Sequence, residues 1–237
     1  MTKDEFIQKM KENYHEINDN QIAALEKYAD FLLEYNKKVN LTAIRDKEGV
    51  YLKHFYDSTL AFSGVTIDFN KVNSLIDVGT GAGFPGLIFK IFFPHIQVTL
   101  LDSNNKKTTF LKKLVEHLGL SGVTIVNDRA ESYVKEHRQE FDVSIARAVS
   151  ELRIIAELCI PLTKVGGTFI ALKSNYEEEL EKAMPTIKKL NSTLGVVSNF
   201  ELPYENSKRT IISFFVKDVV DEKYPRPYDQ IIKKELK

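Results

Sequence analysis

Apolar positions recur every three or four residues near the start of the chain, and after residue 73 they gather into short runs separated by helix-length polar stretches. Ile22, Leu25, Tyr28, Ala29, Leu32 and Leu33 fall on one helical face, which predicts an amphipathic helix stopping near Asn36. Residues 51 to 62 predict another, so residues 1–62 read as a helical extension. From Asn73 onward the rhythm predicts strands near 74–78, 97–101, 123–127, 141–146 and 167–172, with helices near 85–92, 105–118, 130–138 and 151–160 between them. Such alternation builds a mostly parallel sheet. The last third differs: a helix near 176–190 precedes β-rich runs at 195–202 and 210–216, joined by Pro203 to Arg209. A link that short suits an antiparallel pair, because a parallel crossover needs a dozen or more residues. The pattern therefore predicts an α/β domain over 63–237, with a seven-stranded, mostly parallel sheet and one antiparallel strand.

Composition narrows the class. With 237 residues and 43% hydrophobic content the chain can bury one good core. Thirty-three basic and 33 acidic residues cancel, so any nucleic-acid contact must come from a local patch. Cys159 is the lone cysteine, which rules out a disulfide framework and offers no cysteine cluster for zinc; no metal is expected. The polar start Met-Thr-Lys-Asp-Glu-Phe and the lack of long apolar runs point to a cytoplasmic protein that does not enter a membrane.

The chemistry concentrates in Ser74 to Gly86, SLIDVGTGAGFPG, where an apolar strand runs into a glycine-dense turn. Gly79, Gly81 and Gly83 remove side chains where backbone must bend sharply and approach a ligand. Gly81, Gly83 and Gly86 fit the dinucleotide spacing G-x-G-x-x-G, whereas Asp77 to Gly83 has the D/E-x-G-x-G-x-G form of S-adenosylmethionine (SAM) methyltransferases. Asp77 favours SAM, since a carboxylate at the strand tip repels a pyrophosphate and tolerates a sulfonium. Asp102, ending the second strand 21 residues after Gly81, suits ribose hydroxyls in either cofactor. The antiparallel end of the sheet favours SAM a second time.

Asn40-Leu-Thr42, His54-Phe-Tyr-Asp57-Ser58, Asp77 to Gly86, Asp102-Ser-Asn-Asn-Lys-Lys107 with Phe110-Leu111, Arg129-Ala-Glu131 and Ala146-Arg147-Ala148-Val149 occur in that order. Over about residues 20 to 216 this set resembles the glucose-inhibited division protein B family, bacterial methyltransferases acting on guanine N7 of small-subunit ribosomal RNA. The resemblance implies a class I SAM-dependent methyltransferase (Rossmann-like) fold, SAM as methyl donor and 16S ribosomal RNA, or the small subunit, as partner; a monomer is expected separately. It places Gly79 and Phe84 along the cofactor, Ser103 and Asn104 beside Asp102, Ala130 and Glu131 beside the adenine, and Arg147 facing the methyl group or the target base. Lys223-Tyr-Pro-Arg226 also fits. The following Pro227 to Lys237 departs from the family's proline- and glycine-rich ending, so no role is expected beyond Arg226.

The residues agree on their own terms. Asp128 to Glu131 follow the third strand, with Asp128 a potential cap for the next helix. Arg147 ends an apolar run at a carboxyl end of the sheet, where ligands collect, and is the catalytic candidate, best suited to an O6 or phosphate contact. Guanine N7 carries a free lone pair, so no proton-abstracting dyad is required. His54 reads as a packed residue. Lys106, Lys107, Arg129, Lys173, Lys208, Arg209 and Arg226, with Lys37, Lys38, Arg45 and Lys53 as a second wall, are the candidate RNA contacts. Alternative readings are a SAM methyltransferase for a small molecule or protein, a non-catalytic SAM-binding factor of ribosome assembly, and an NAD-linked oxidoreductase.

Overall fold

The computed structural model describes residues 1–13, 16–147, 150–174 and 176–236. Ala148 and Val149, the end of the last family motif, lie outside the described residues. Among the described residues four α-helices precede the sheet: α1 (Lys3–Glu12), α2 (Asp19–Asn36), α3 (Lys47–Val50) and α4 (Asp57–Ser63), the last two joined by a π-helical turn, Tyr51–Tyr56. A capping box starts α2: Asn18 Oδ1 accepts from the Gln21 N–H, and Gln21 Oε1 from the Asn18 N–H. Leu25, Tyr28, Ala29 and Leu32 are its buried stripe, while Ile22 and Leu33 are only partly buried.

The strands are β1 (Ser74–Val78), β2 (Gln97–Leu101), β3 (Val123–Val126), β4 (Phe141–Arg147), β5 (Thr163–Lys173), β6 (Ser192–Leu202) and β7 (Ser207–Val216). They form one seven-stranded sheet in the order β3-β2-β1-β4-β5-β7-β6. All neighbouring pairs from β3 to β5 are parallel, and β7 runs antiparallel to both β5 and β6. This is the expected sheet. The remaining helices are α5 (Gly86–Phe92), α6 (Asn105–Leu118), α7 (Ala130–Tyr133), α8 (Leu152–Cys159), α9 (Glu177–Lys189) and α10 (Tyr228–Lys233).

The two-residue period of the strands sends alternate side chains to two cores. Leu75, Val143, Ile145, Ile170 and Leu172 join one face, where they meet Phe6, Tyr28, Phe55 and Phe89 from the N-terminal helices and α5. Ile76, Ala146, Phe169 and Ala171 join the other, beneath α8, α9 and the C-terminal segment. Residues of α1, α2 and α4 thus share a hydrophobic core with the sheet.

Three expectations change in detail. The helix expected over 130–138 is α-helical only to Tyr133, because the N–H groups of Lys135, Glu136 and His137 bond the carbonyls of Ser132, Tyr133 and Val134, three residues back, and the chain goes on as tight turns to Gln139 at φ +50°. The connection between the last two strands is Pro203 to Asn206, because Tyr204 and Asn206 both take positive φ and turn the chain more tightly than the sequence suggests. The tail carries α10, which its short apolar content did not announce.

Candidate functional site

Strand order reverses between β1 and β4, so their carboxyl ends open a crevice. Gly79, Gly81 and Gly83 cross its floor with φ of +73°, +63° and +101°, a region other residues enter at a cost. A Cβ on Gly81 would find only the Gly79 carbonyl oxygen, at 4.0 Å, so that position faces open space. At Gly83 the same atom would sit 2.5 Å from the Tyr28 hydroxyl and 2.7 Å from Leu87 Cδ1, so that glycine serves packing.

Asp77 is fully buried under this loop. Its Oδ2 accepts from the Thr80 hydroxyl and from the Gly86 N–H, each at 2.7 Å. Oδ1 has no hydrogen-bond partner among the described residues. Burial pushes this carboxyl up to about 6, against the two hydrogen bonds and the positive charge of Arg147. The side chain braces the loop from below and lines neither cavity described next.

On one side of the loop a cavity of about 490 Å³ is bounded by Val78, Gly79, Leu101, Asp102, Ser103, Asp128, Ala130, Glu131, Leu158 and Tyr228, among others. Asp102 Oδ2 accepts from the Gly81 N–H at 3.0 Å, and Oδ1 from the Asn104 N–H at 2.8 Å. The tip of β2 and the glycine loop are therefore tied together by one carboxylate. Asn104 caps α6, its Oδ1 accepting from the Lys106 N–H, and lies outside this cavity. Asp128 does not cap α7: its Oδ1 takes the Arg129 N–H at 2.7 Å, and Arg129 holds the cap position. The carboxylate is drawn back to the adjacent amide, one residue short of the cap.

On the other side lies a cavity of about 570 Å³, which shares Gly79, Lys107 and Arg147 with the first. Arg147 is held from several directions. Nη1 donates to the Lys53 carbonyl at 2.9 Å and to Asp57 Oδ2 at 2.7 Å. Nη2 lies 3.2 Å from His54 Nδ1, and since an arginine only donates, Nδ1 is the acceptor. The His54 proton is then on Nε2, which faces the Thr42 hydroxyl at 2.9 Å. Burial and the Arg147 charge hold this imidazole down to about 3. Phe84 completes the group: its ring stacks on Tyr28 at 5.0 Å and on His54 at 4.4 Å, with the Arg147 guanidinium 5.4 Å from its centroid. Asp57 Oδ1 meanwhile accepts from Arg209 Nε at 2.7 Å.

Gly79, Asp102, Ser103, Ala130, Glu131 and Arg147 thus meet along the first cavity, and Gly79, Gly81, Phe84 and Arg147 along the second. Gly83 and Asp77 lie beneath. The sequence reading placed Thr42 and Asp57 in family motifs without giving either a role, gave Tyr228 none, and gave His54 only a packing role. A signal existed: His54 and Asp57, three apart on an apolar helix, put a titratable pair on one face. Of the basic candidates, Arg209 is paired with Asp57, Lys173 with Glu179, Lys53 with Glu205 and Lys37 with Glu34. Arg226 grips the buried Glu157 through Nε and Nη2, at 2.8 and 2.7 Å, so its charge is directed into the protein rather than toward RNA. Lys38, Lys106 and Lys107 line a separate cleft that adjoins the larger cavity through Leu41 and Lys107. Among the described residues no group of three or more His, Cys, Asp or Glu could hold a metal ion, and no helix is long and apolar enough to cross a membrane.

Among solved structures, a precorrin-6y C5,15-methyltransferase from Geobacter metallireducens superposes with a TM-score of 0.54 at 14% identity, covering 68% of this chain and 87% of that one. A SAM-dependent O-methyltransferase from Thermotoga maritima gives 0.53 at 15% identity, covering 80% and 73%. These share the class I methyltransferase fold. The small subunit methyltransferase G of Exiguobacterium sibiricum, a ribosomal RNA enzyme by name, is 46% identical over 230 residues, 95% of both chains. Its namesake from Halalkalibacterium halodurans is 46% identical over 226 residues, 94% of both. The profile of the GidB family, described as rRNA small subunit methyltransferase G, matches residues 21–207, and with it the glycine loop, the Asp102 strand end and the His54–Asp57–Arg147 group; the chain belongs to that family.

Proposed function

We propose that this protein transfers the methyl group of SAM to N7 of a guanine in 16S ribosomal RNA. The observation that carries the reading is the pair of cavities joined over the glycine loop, one edged by Asp102 and the other by Arg147 and a neutral His54. The fit to SAM is chemical. Asp102 brings a carboxylate to a cavity that sets the apolar surfaces of Val78, Leu101, Ala130 and Leu158 beside polar side chains, as a ribose next to a nucleobase requires. Gly81 leaves open space above a bent backbone, and the cavity volumes are those of small-ligand sites.

SAM supplies an electrophilic methyl carbon on a sulfonium sulfur. In this reading Asp102 accepts from the ribose hydroxyls, Ser103, Ala130 and Glu131 border the adenine, and the backbone of Gly79 to Gly83 runs close to the methionine part. Asn104 contributes its N–H to Asp102 and caps α6, which fixes the carboxylate. Asp77 supports the loop. Arg147, with Nη1 and Nη2 engaged, directs its remaining N–H donors at guanine O6 or a neighbouring phosphate. N7 attacks with its own lone pair, and positive charge passes from sulfur to purine without creating any. The site then has to align the atoms and exclude water. His54 suits this chemistry: an imidazole held down to about 3 is a poor base at neutral pH and serves as an acceptor for Arg147.

The reading takes residues 1–62 as an extension that walls the acceptor side through Thr42, Lys53, His54 and Asp57, and 63–237 as the methyltransferase domain. It includes a cytoplasmic monomer that needs no metal. Labelled SAM incubated with ribosomal RNA lacking its methyl groups, followed by mapping of the labelled base, tests it. N7-methylguanosine is expected. Label only in protein or metabolites would favour the alternative acceptors, and SAM binding without transfer to RNA particles would favour an assembly factor.

A further inference from the structure

We infer that Tyr228 is a cofactor-binding residue, its ring packing against the nucleobase of the methyl donor, so that the C-terminal segment forms one wall of the nucleoside cavity. The inference rests on the SAM reading above.

The cavity that contains Asp102 also contains Tyr228, an aromatic residue separated from Asp102 by more than 120 positions in the chain. Apolar Val78, Leu101, Ala130 and Leu158 provide other surfaces of the same cavity, Asp102, Asp128 and Glu131 provide its carboxylates, and Lys107, Arg129 and Arg147 its cations. Apolar surfaces with carboxylates at hand suit a flat heteroaromatic ring joined to a sugar, and a tyrosine face adds a large rigid contact at small entropic cost.

The ring is carried on an anchored segment. Two residues before it, Arg226 meets Glu157 with its backbone N–H at 3.0 Å and with Nε and Nη2 at 2.8 and 2.7 Å. Three residues after it, the Ile231 carbonyl accepts from Arg153 Nη1 at 2.7 Å, and the Ile231 side chain is fully buried. Both anchors are on α8, the helix that also sends Leu158 into the cavity. Tyr228 is only partly buried, and the Arg129 guanidinium lies 5.9 Å from its ring centroid. None of the anchoring hydrogen bonds uses the Tyr228 side chain. The ring also packs against the hydrophobic core on this face of the sheet, a contact that by itself would contribute to stability and leave ligand affinity unchanged.

Titration calorimetry of the full chain with S-adenosylhomocysteine and with 5′-methylthioadenosine, which keeps only the nucleoside end, tests the assignment. Tyr228→Ala is expected to weaken both ligands by about tenfold or more, the scale of a lost base–aromatic contact. Tyr228→Phe should bind both within about twofold of wild type, because the ring and not the hydroxyl makes the contact. Thermal melting without ligand, matching wild type, shows that the Ala variant keeps its fold. Wild-type affinity in Tyr228→Ala would overturn the inference while leaving the SAM reading intact. So would a loss confined to S-adenosylhomocysteine. Failure of the wild-type chain to bind either ligand would overturn both.

Discussion

Asp57 Oδ2 stands 2.7 Å from Arg147 Nη1, an ion pair with side chains only 7% and 16% exposed that joins the start of α4 to the end of β4. The other oxygen of Asp57 holds Arg209 of β7, also at 2.7 Å. One carboxylate from the N-terminal helices therefore fixes two arginines of the sheet. Removing it leaves two guanidiniums without their counter-charge in a poorly solvated site. Asp57→Ala should lower unfolding free energy by about 3 to 5 kcal/mol. Urea titration with an unchanged slope checks this, and a loss under about 1 kcal/mol would show that water already screens the pair.

Gly81 and Gly83 of the loop should separate by experiment. Gly83→Ala places a methyl 2.5 Å from the Tyr28 hydroxyl and 2.7 Å from Leu87, on top of the strain of φ +101°, so the core must shift. A loss of about 3 kcal/mol or more is expected from overpacking and strain together. Gly81→Val meets open space and carries only the positive-φ cost of about 1 to 3 kcal/mol, yet fills the room above the loop. Thermal melts and calorimetry together should show Gly81→Val folded and unable to bind SAM, and Gly83→Ala destabilised first. The reverse order would misplace the ligand.

Asp102→Ala removes the acceptor of the Gly81 and Asn104 N–H groups as well as the proposed ribose contact. S-adenosylhomocysteine affinity should fall by about 1 to 3 kcal/mol, the range for hydrogen bonds to a charged group. Asp102→Asn, which keeps one carbonyl acceptor, should lose less. Calorimetry showing equal affinity in both variants and wild type would remove Asp102 from the site.

These expectations show what the sequence made legible. The period-two runs and the glycine turn are local signals, and they located β1, β2, the loop and Asp102. The antiparallel end of the sheet followed from a short connection. The Asp57–Arg147–Arg209 group was not legible, because its members are separated by 90 and 152 positions and meet only when the helices dock on the sheet. Asp77 shows the opposite case. Its motif position was clear, but that both its hydrogen bonds would run to Thr80 and Gly86 beneath the loop depends on the backbone turning back over it. Tyr228 is hidden for a third reason: a lone aromatic in a charged tail carries no periodicity.

Stability should respond to pH with opposite signs at two residues. His54 is held to about 3 in the folded chain against an ordinary 6.5, so its stabilising contribution is complete above about 6.5 and is lost as pH falls toward 3. Asp77 is raised to about 6 from 3.8, so its contribution is complete below about 3.8 and is lost as pH rises through 6. His54→Asn should therefore flatten the acid-side decline in melting temperature between about pH 6.5 and 4. Asp77→Asn should instead gain on wild type as pH rises from about 4 to 6. Melting curves across pH 4 to 8 read both, and parallel curves for either variant would mean that its group titrates at its ordinary value.

Arg147 gives the sharpest test of the chemistry. Its guanidinium is positioned by Asp57, the Lys53 carbonyl and the neutral His54 at once, an arrangement that a lysine cannot reproduce with one ammonium. If it aligns the acceptor base, Arg147→Lys and Arg147→Ala should lower turnover on undermethylated ribosomal RNA by about 100-fold, the scale of a misaligned reactant. Affinity for S-adenosylhomocysteine should change far less, because Asp102 and the glycine loop stay in place. Wild-type turnover should vary little between about pH 7 and 8, since N7 has no proton to lose and His54 is already neutral there. Equal losses in turnover and cofactor affinity would make Arg147 part of the cofactor site alone. A steep rise in rate with pH over that range would require a general base, and the N7 assignment would fall with it.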